Sequence, residues 1–144
     1  MSNLLIDHTF IEAILQKKHP QHEIAEKLSK HIGDNDRLYL PDFELVLLLD
    51  KISEYPEESK EIIQMIKEIT RIDCFQSKNV YYKAFDEFKQ HENLTFLNCL
   101  TKQYMKHKGL KYILSFNEKY DKIQEIKRIY KMDEINPKRL NFDS

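Results

Sequence analysis

The chain has 144 residues, of which 41% are hydrophobic and 33% charged, a composition typical of one globular domain rather than a disordered chain. Its two glycines cannot form a glycine-rich phosphate-binding loop, which excludes nucleotide-binding motifs of the Walker and Rossmann kinds. The longest apolar run, residues 45–49, is too short to span a membrane, and the N-terminus lacks a signal-peptide pattern. We therefore expect a cytoplasmic protein, with Cys74 and Cys99 as reduced, buried thiols.

Short apolar runs alternate with helical patterns along the first half of the chain. Apolar residues spaced three or four apart mark the helices, and prolines stand at the start of three of them, a position they favour. The predicted elements are a strand at 3–6, a helix that Thr9 opens, a helix at 21–32, a strand at 37–40, and helices at 41–53 and 56–69. Asp7 directly follows the first strand, where an acid can take part in chemistry or simply cap the next helix. No role is assigned to His8.

A stripe of aromatic residues marks the next helix. Residues 71–75 fit a short strand, and Ser77 is a suitable N-cap for the helix that follows. The stripe recurs every three or four residues and consists of Val80, Tyr81, Ala84, Phe85 and Phe88. We interpret it as core packing or a dimer surface, in preference to a platform for stacking bases.

The stretch from residue 94 to residue 123 contains two asparagines at prominent positions. Thr95 caps a predicted helix that ends at Gly109, and residues 112–114 form an apolar run suited to a buried strand. Asn98 lies early in that helix, and Asn117 lies just past the strand. In parallel α/β sheets, polar groups at such positions line the ligand cleft.

The alternation of strands and helices predicts an α/β protein with a three-layer α/β/α arrangement. The central sheet is expected to have four or five mainly parallel strands. Residues 127–132 fit either the end of a helix or a final strand. We expect one domain over residues 1–135 and an irregular tail over residues 136–144.

Charge is distributed unevenly along the chain. Residues 1–101 carry twelve Lys or Arg against eighteen Asp or Glu, whereas residues 102–131 carry nine against three. The basic segment could contact a phosphate backbone, and a solvated lysine-rich face explains the same counts equally well. The candidate RNA-binding residues are Lys102, Lys106, Lys108, Lys119 and Arg128.

Taken together, several segments resemble a PIN domain, the metal-dependent nuclease fold of toxin–antitoxin endoribonucleases and several RNA-processing enzymes. The segments are residues 4–9, residues 38–41 with the helix that follows, residues 94–98 and residues 113–123. Their order and spacing match over residues 4–130. The resemblance implies carboxylates that hold Mg²⁺ or Mn²⁺ and thereby activate a water molecule for attack on a phosphodiester.

The departures from the family pattern fall on these carboxylates. Asp7 is retained at the first acidic position, the second position aligns with Leu47, and the third and fourth are occupied by Asn98 and Asn117. Each exchange of an acid for an amide removes a negative charge that a hard cation requires. Weak or absent metal binding is therefore expected, with no cofactor.

A displaced set of acids is the alternative. Glu44 and Asp50 lie one helical turn to either side of Leu47, and Asp121 follows Asn117, so that Asp7 with some of these acids could still bind a metal ion. Two functions remain open. The favoured one is a catalytically inactive or weak PIN-like protein that binds RNA or a partner protein, and the other is an active Mg²⁺- or Mn²⁺-dependent endoribonuclease. The resemblance also implies a homodimer.

Overall fold

A computed structural model describes residues 3–32, 36–54, 56–69, 71–75 and 77–132. The strands are β1 (Asn3–Ile6), β2 (Arg37–Pro41), β3 (Arg71–Asp73), β4 (Tyr112–Leu114) and β5 (Lys127–Ile129). The helices are α1 (His8–Leu15), α2 (His22–His31), α3 (Asp42–Ile52), α4 (Pro56–Ile69), α5 (Lys78–Gln90) and α6 (Phe96–Lys108), and a 3₁₀ helix spans Glu118–Lys122.

The five strands form one parallel sheet in the order β3-β2-β1-β4-β5. β1 is central, and its Leu5 lies beside Tyr39 of β2 and Ile113 of β4. Ile6, Leu114 and Ile129 are paired across the sheet where β1, β4 and β5 end. We call this side the carboxyl edge. Ligand sites of parallel α/β sheets lie at this edge.

Two apolar clusters cover the two faces of the sheet. On one face, Leu4 and Ile6 pack with buried residues of α1, α2, α3 and α4. On the other face, Leu5 and Ile113 pack with α5, α6 and the 3₁₀ helix. Adjacent residues of β1 thus point to opposite clusters, as strand geometry requires. The predicted three-layer α/β/α fold with a parallel sheet is confirmed.

Two sequence predictions need correction, and one open alternative is resolved. Residues 127–132 contain the short strand β5 rather than a helix end. Cys74 was predicted to be buried but is exposed, whereas Cys99 is buried as expected. In the aromatic stripe only Val80 and Ala84 face the core, so the core-packing alternative is corrected for the three aromatic members, and the dimer-surface alternative stays a prediction.

The domain limits stay a prediction, because residues 133–144 lie outside the described part of the chain. Within the described ranges, no helix combines the length and apolar character that a membrane span needs.

Candidate acidic site

Asp7 occupies the carboxyl edge directly after β1. Its backbone N–H donates to the carbonyl of Leu114 at 3.2 Å, which extends the β1–β4 pairing by one residue. Its Oδ1 accepts hydrogen bonds from Thr9 Oγ1 at 2.6 Å and from the Phe10 N–H at 3.1 Å, and its Oδ2 accepts one from Ser115 Oγ. Asp7 therefore caps α1, which is one of the two roles that its position after β1 allowed, and its side chain is almost fully buried.

Glu44 is the second acid at this site. It lies in the first turn of α3, just beyond the end of β2, and it is fully buried. Its Oε2 accepts the backbone N–H of His8 at 2.9 Å and lies 2.5 Å from His8 Nδ1. Its Oε1 is also buried and has no hydrogen-bond partner among the described residues.

The charge of Glu44 influences the protonation of Asp7 and of His8. Burial, followed by the negative charge of Glu44, raises the pKa of Asp7 to about 6. Burial by itself lowers the pKa of His8, but the hydrogen bond and the charge of Glu44 outweigh it, so that the pKa of His8 is raised. The Asp7 carboxyl group and the His8 imidazole thus both hold a proton to a higher pH than usual.

Asn98 reaches the same region from α6, where it forms a capping box with Thr95. Its Oδ1 accepts the Thr95 N–H at 3.0 Å and Thr95 Oγ1 at 2.9 Å, while its own N–H donates to Thr95 Oγ1 at 3.1 Å. The hydrogen bond from the Thr95 N–H requires an acceptor, and this fixes the orientation of the amide. Its Nδ2 is buried without a partner among the described residues.

Two further polar side chains lie around Asn98. Thr101 Oγ1 and the Tyr120 hydroxyl are buried without hydrogen-bond geometry to any described group, although both Asn98 and Thr101 lie close to Tyr120. Burial, and then the charges of Glu44 and Asp7, raise the pKa of Tyr120. Tyr120 thus lies within electrostatic reach of Glu44 and Asp7 and close to Asn98.

The side chain of Asn117 is used locally. Its Oδ1 accepts the Lys119 N–H at 3.0 Å and so caps the 3₁₀ helix, and its own N–H donates to Ser115 Oγ at 3.0 Å. Ser115 in turn donates to Asp7, and this links the ends of β1 and β4. Both amides at the family's acidic positions therefore have their oxygens engaged in capping.

The remaining acids of the displaced set do not join Asp7. Asp50 is exposed near the end of α3, and Asp121 accepts hydrogen bonds from Arg128 Nε at 2.9 Å and from its terminal nitrogen at 2.8 Å. The hydrogen bond from Arg128 lowers the pKa of Asp121. Leu47 is partly buried one turn beyond Glu44. Of the predicted metal ligands, the structure brings together only Asp7 and Glu44.

The donor set does not fit a divalent metal ion. Both oxygens of Asp7 accept hydrogen bonds, Glu44 Oε2 accepts from His8, and the free group of Asn98 is an N–H donor, which cannot bind a cation. In the described parts of the chain, no three His, Cys, Asp or Glu side chains are grouped so that they could hold a metal. Glu44 Oε1 is the one carboxylate oxygen of this pair that remains unengaged.

The site also contains residues that sequence reasoning missed. The structure buries four residues that were assigned no role: Ser115 bonds to Asp7, His8 bonds to Glu44, and Thr101 and Tyr120 lie near Asn98. For His8 the available signal was its place between an acid and a helix start, but its partner Glu44 is distant in sequence.

The predicted RNA-binding cations are mostly paired with acids. Lys102 lies 3.0 Å from Glu87, Lys108 lies 3.0 Å from Asp73, and Arg128 binds Asp121 while it is itself buried. The other two, Lys106 on the last turn of α6 and Lys119 in the 3₁₀ helix, are exposed. Three of the five cations therefore have their charge balanced within the chain.

An aromatic surface on α5 is exposed instead. The exposed fractions are 38% for Tyr81, 66% for Tyr82, 49% for Phe85 and 42% for Phe88, and we call these four residues the α5 aromatic face. Phe96, at the start of α6, contacts the rings of Tyr81 and Phe88 with centroid distances of 6.4 and 6.1 Å. The face therefore continues toward the helix that carries Asn98.

The parallel sheet, the helices on both faces and the site at the carboxyl edge define a PIN-like fold, and comparison with solved structures agrees. The VapC20 toxin of Mycobacterium tuberculosis, which cleaves the sarcin–ricin loop, superposes with a TM-score of 0.73 at 11% identity, covering 84% of this chain and 95% of that chain. VapBC2 of Rickettsia felis, solved bound to a DNA fragment from its promoter, gives 0.69 at 14% identity, covering 88% and 97%. No family sequence profile and no curated protein matches the chain.

Proposed function

We propose that this chain is a PIN-fold protein that does not hydrolyse phosphodiesters and acts by binding another protein. The observation that carries the first part is the engagement of the acidic site by its own donors. His8 bonds to Glu44, Ser115 bonds to Asp7, and Asn98 presents an N–H group where the family resemblance places a carboxylate. Such a site keeps one unengaged carboxylate oxygen, Glu44 Oε1, which is fewer than Mg²⁺ or Mn²⁺ needs.

The α5 aromatic face supports the second part. Exposed aromatic side chains in one contiguous group are typical of protein interfaces, where they contribute much of the binding energy. Lys83, Asp86 and Lys89 on the same helix supply both signs of charge around the face. A second copy packed antiparallel along α5 can pair these opposite charges, as a two-fold interface requires. The proposed partner is therefore a second copy of the chain.

The likeness to VapBC2 extends this proposal to a toxin–antitoxin type of partner and to a cytoplasmic protein. RNA is less favoured as the partner, because three of the five candidate cations are paired with acids of the same chain. Exposed Lys106 and Lys119 keep RNA as an outcome to be tested rather than as the conclusion.

Sedimentation equilibrium of the wild type and of Phe85→Glu tests the proposed interface. We expect a concentration-dependent dimer in the wild type and a monomer in the variant, because a charge would be buried among aromatic rings. Ile24→Glu on α2 is the matched control, since Ile24 is an exposed apolar residue on the opposite side of the sheet, and it should leave the dimer intact. A wild type that stays monomeric throughout a hundredfold range of protein concentration would contradict the proposal.

Single-stranded RNA tests the alternatives in two assays. With Mn²⁺ present we expect no cleavage above a protein-free control, and cleavage that both a chelator and Asp7→Asn abolish would instead establish the endoribonuclease. In a gel shift at low salt, where binding to phosphates is strongest, tight binding lost in Lys119→Glu would favour RNA over a protein partner.

A further inference from the structure

We infer that His8 is a built-in hydrogen-bond donor that occupies Glu44 and keeps divalent metal ions from this carboxylate. The inference rests on the proposed function and deepens it, because it names the side chain that closes the site. His8 is not an acidic residue, and no role was assigned to it from the sequence.

The geometry places both donors of His8 on one oxygen. The backbone N–H lies 2.9 Å from Glu44 Oε2, and the ring Nδ1 lies 2.5 Å from the same atom. Glu44 is fully buried and His8 is 9% exposed, so water does not compete freely for this oxygen. Two charge-assisted bonds to one buried oxygen are worth more than the same bonds at the surface.

The backbone bond would remain in any variant, but the ring bond depends on His8. A metal ion at Glu44 would have to displace the ring from Oε2 or bind Oε1 alone. A single carboxylate oxygen binds Mn²⁺ weakly. Lys51 acts on His8 only at a distance, since it is half exposed and pairs with Glu12 at 3.4 Å. His8 is thus the side chain that bonds to Oε2 of Glu44, while Oε1 has no partner among the described residues.

Asn98 blocks the site in a second way, so the effect of His8 has to be measured after that block is removed. Asn98→Asp replaces the buried, unpartnered N–H group by a carboxylate oxygen and keeps an acceptor for Thr95. The test compares Asn98→Asp with the double variant His8→Ala, Asn98→Asp by calorimetric titration with Mn²⁺ at one neutral pH. We expect at least tenfold tighter Mn²⁺ binding in the double variant.

A conservative variant separates donation from charge. An asparagine at position 8 keeps an N–H donor at the place of Nδ1 but carries no positive charge. The double variant His8→Asn, Asn98→Asp should therefore bind Mn²⁺ as weakly as Asn98→Asp alone. His31→Ala, Asn98→Asp is the matched control, because His31 is an exposed histidine at the end of α2, and it should also bind weakly.

Equal affinity with and without His8 would overturn the inference, and so would tight binding in the asparagine variant. Thermal unfolding of each variant shows whether it folds, and His8→Leu, which also has no side-chain donor, provides the same comparison if alanine does not fold. Failure of the proposed function looks different, because micromolar Mn²⁺ binding by the wild type would contradict that proposal. The affinity ratio with and without His8 would still decide the inference in that case.

Discussion

At Asn98, one amide group serves both a helix terminus and a buried polar site. Its oxygen accepts two hydrogen bonds from Thr95, and this holds the first turn of α6 in place. Its nitrogen is buried without a partner among the described residues, close to Tyr120, where it can donate but cannot bind a cation. An aspartate could perform the capping role equally well. The amide therefore changes the chemistry of the site while it preserves the local fold.

Asp7 makes the stability of the protein fall as the pH rises. Its pKa is raised from 3.8 to about 6 in the fold, so the native state binds its proton more tightly than the unfolded chain does. Stability is then lost between pH 4 and pH 6, by roughly 2–3 kcal/mol at about 1.4 kcal/mol per pKa unit. The raised pKa of His8 acts in the same direction, because its contribution is lost as the pH rises through the folded-state value.

Urea unfolding across this pH range measures the effect. We expect the free energy of unfolding to decline from pH 4 to pH 7 in the wild type and to decline less in Asp7→Asn, which cannot ionise at this position. Asp121→Asn is the control, since the pKa of Asp121 is lowered by Arg128 and its loss removes stability at neutral pH instead. A wild-type profile that rises steadily from pH 4 to pH 7 would contradict the raised pKa of Asp7.

On the scale of helices and strands, most of the fold could be predicted from the sequence. Apolar periodicity, the Thr95 cap and the Gly109 terminator are local signals, and the structure reproduces them, with Gly109 at φ 72°. The site was less predictable. Glu44 and Leu47 lie one turn apart on α3, so a pattern could not decide which of them lies beside Asp7. The pairing of His8 with Glu44 joins residues that are far apart in sequence, and no local signal encodes it.

Arg128 connects β5 to the 3₁₀ helix and to the end of β4. It donates to both oxygens of Asp121 and to the Ser115 carbonyl at 3.3 Å, and its guanidinium lies 3.7 Å from the centre of the Tyr130 ring. Because Arg128 is buried, Arg128→Met should lower the free energy of unfolding by about 1–3 kcal/mol, as the Ser115 carbonyl loses a charged donor. Urea unfolding at pH 7 measures this loss.

Asp121→Asn should cost less than Arg128→Met, because 52% of the Asp121 side chain is exposed and solvent weakens its ion pair. Equal losses in the two variants would show that the ion pair, rather than the buried guanidinium, stabilises this connection.

Which kind of partner the whole molecule favours depends more on its balance of charge and apolar surface than on any single site. The formal net charge is −1, and three of the five candidate RNA-binding cations, Lys102, Lys108 and Arg128, are paired with acids, which reduces the attraction of these three for a polyanion. The α5 aromatic face, in contrast, exposes four large rings on one helix. In the proposed dimer, burial of these rings is the expected main source of the free energy of association.

The proposed self-association through this face predicts that the stability of the protein depends on its concentration. A dimer that dissociates on unfolding is stabilised by mass action, so the melting temperature rises as the protein concentration rises. We expect an increase of a few degrees across a hundredfold range in the wild type, from about 2.7 kcal/mol of linkage. Phe85→Glu should melt at one temperature throughout that range, and Ile24→Glu should follow the wild type. Differential scanning calorimetry measures all three, and a wild-type melting temperature independent of concentration would contradict self-association through α5.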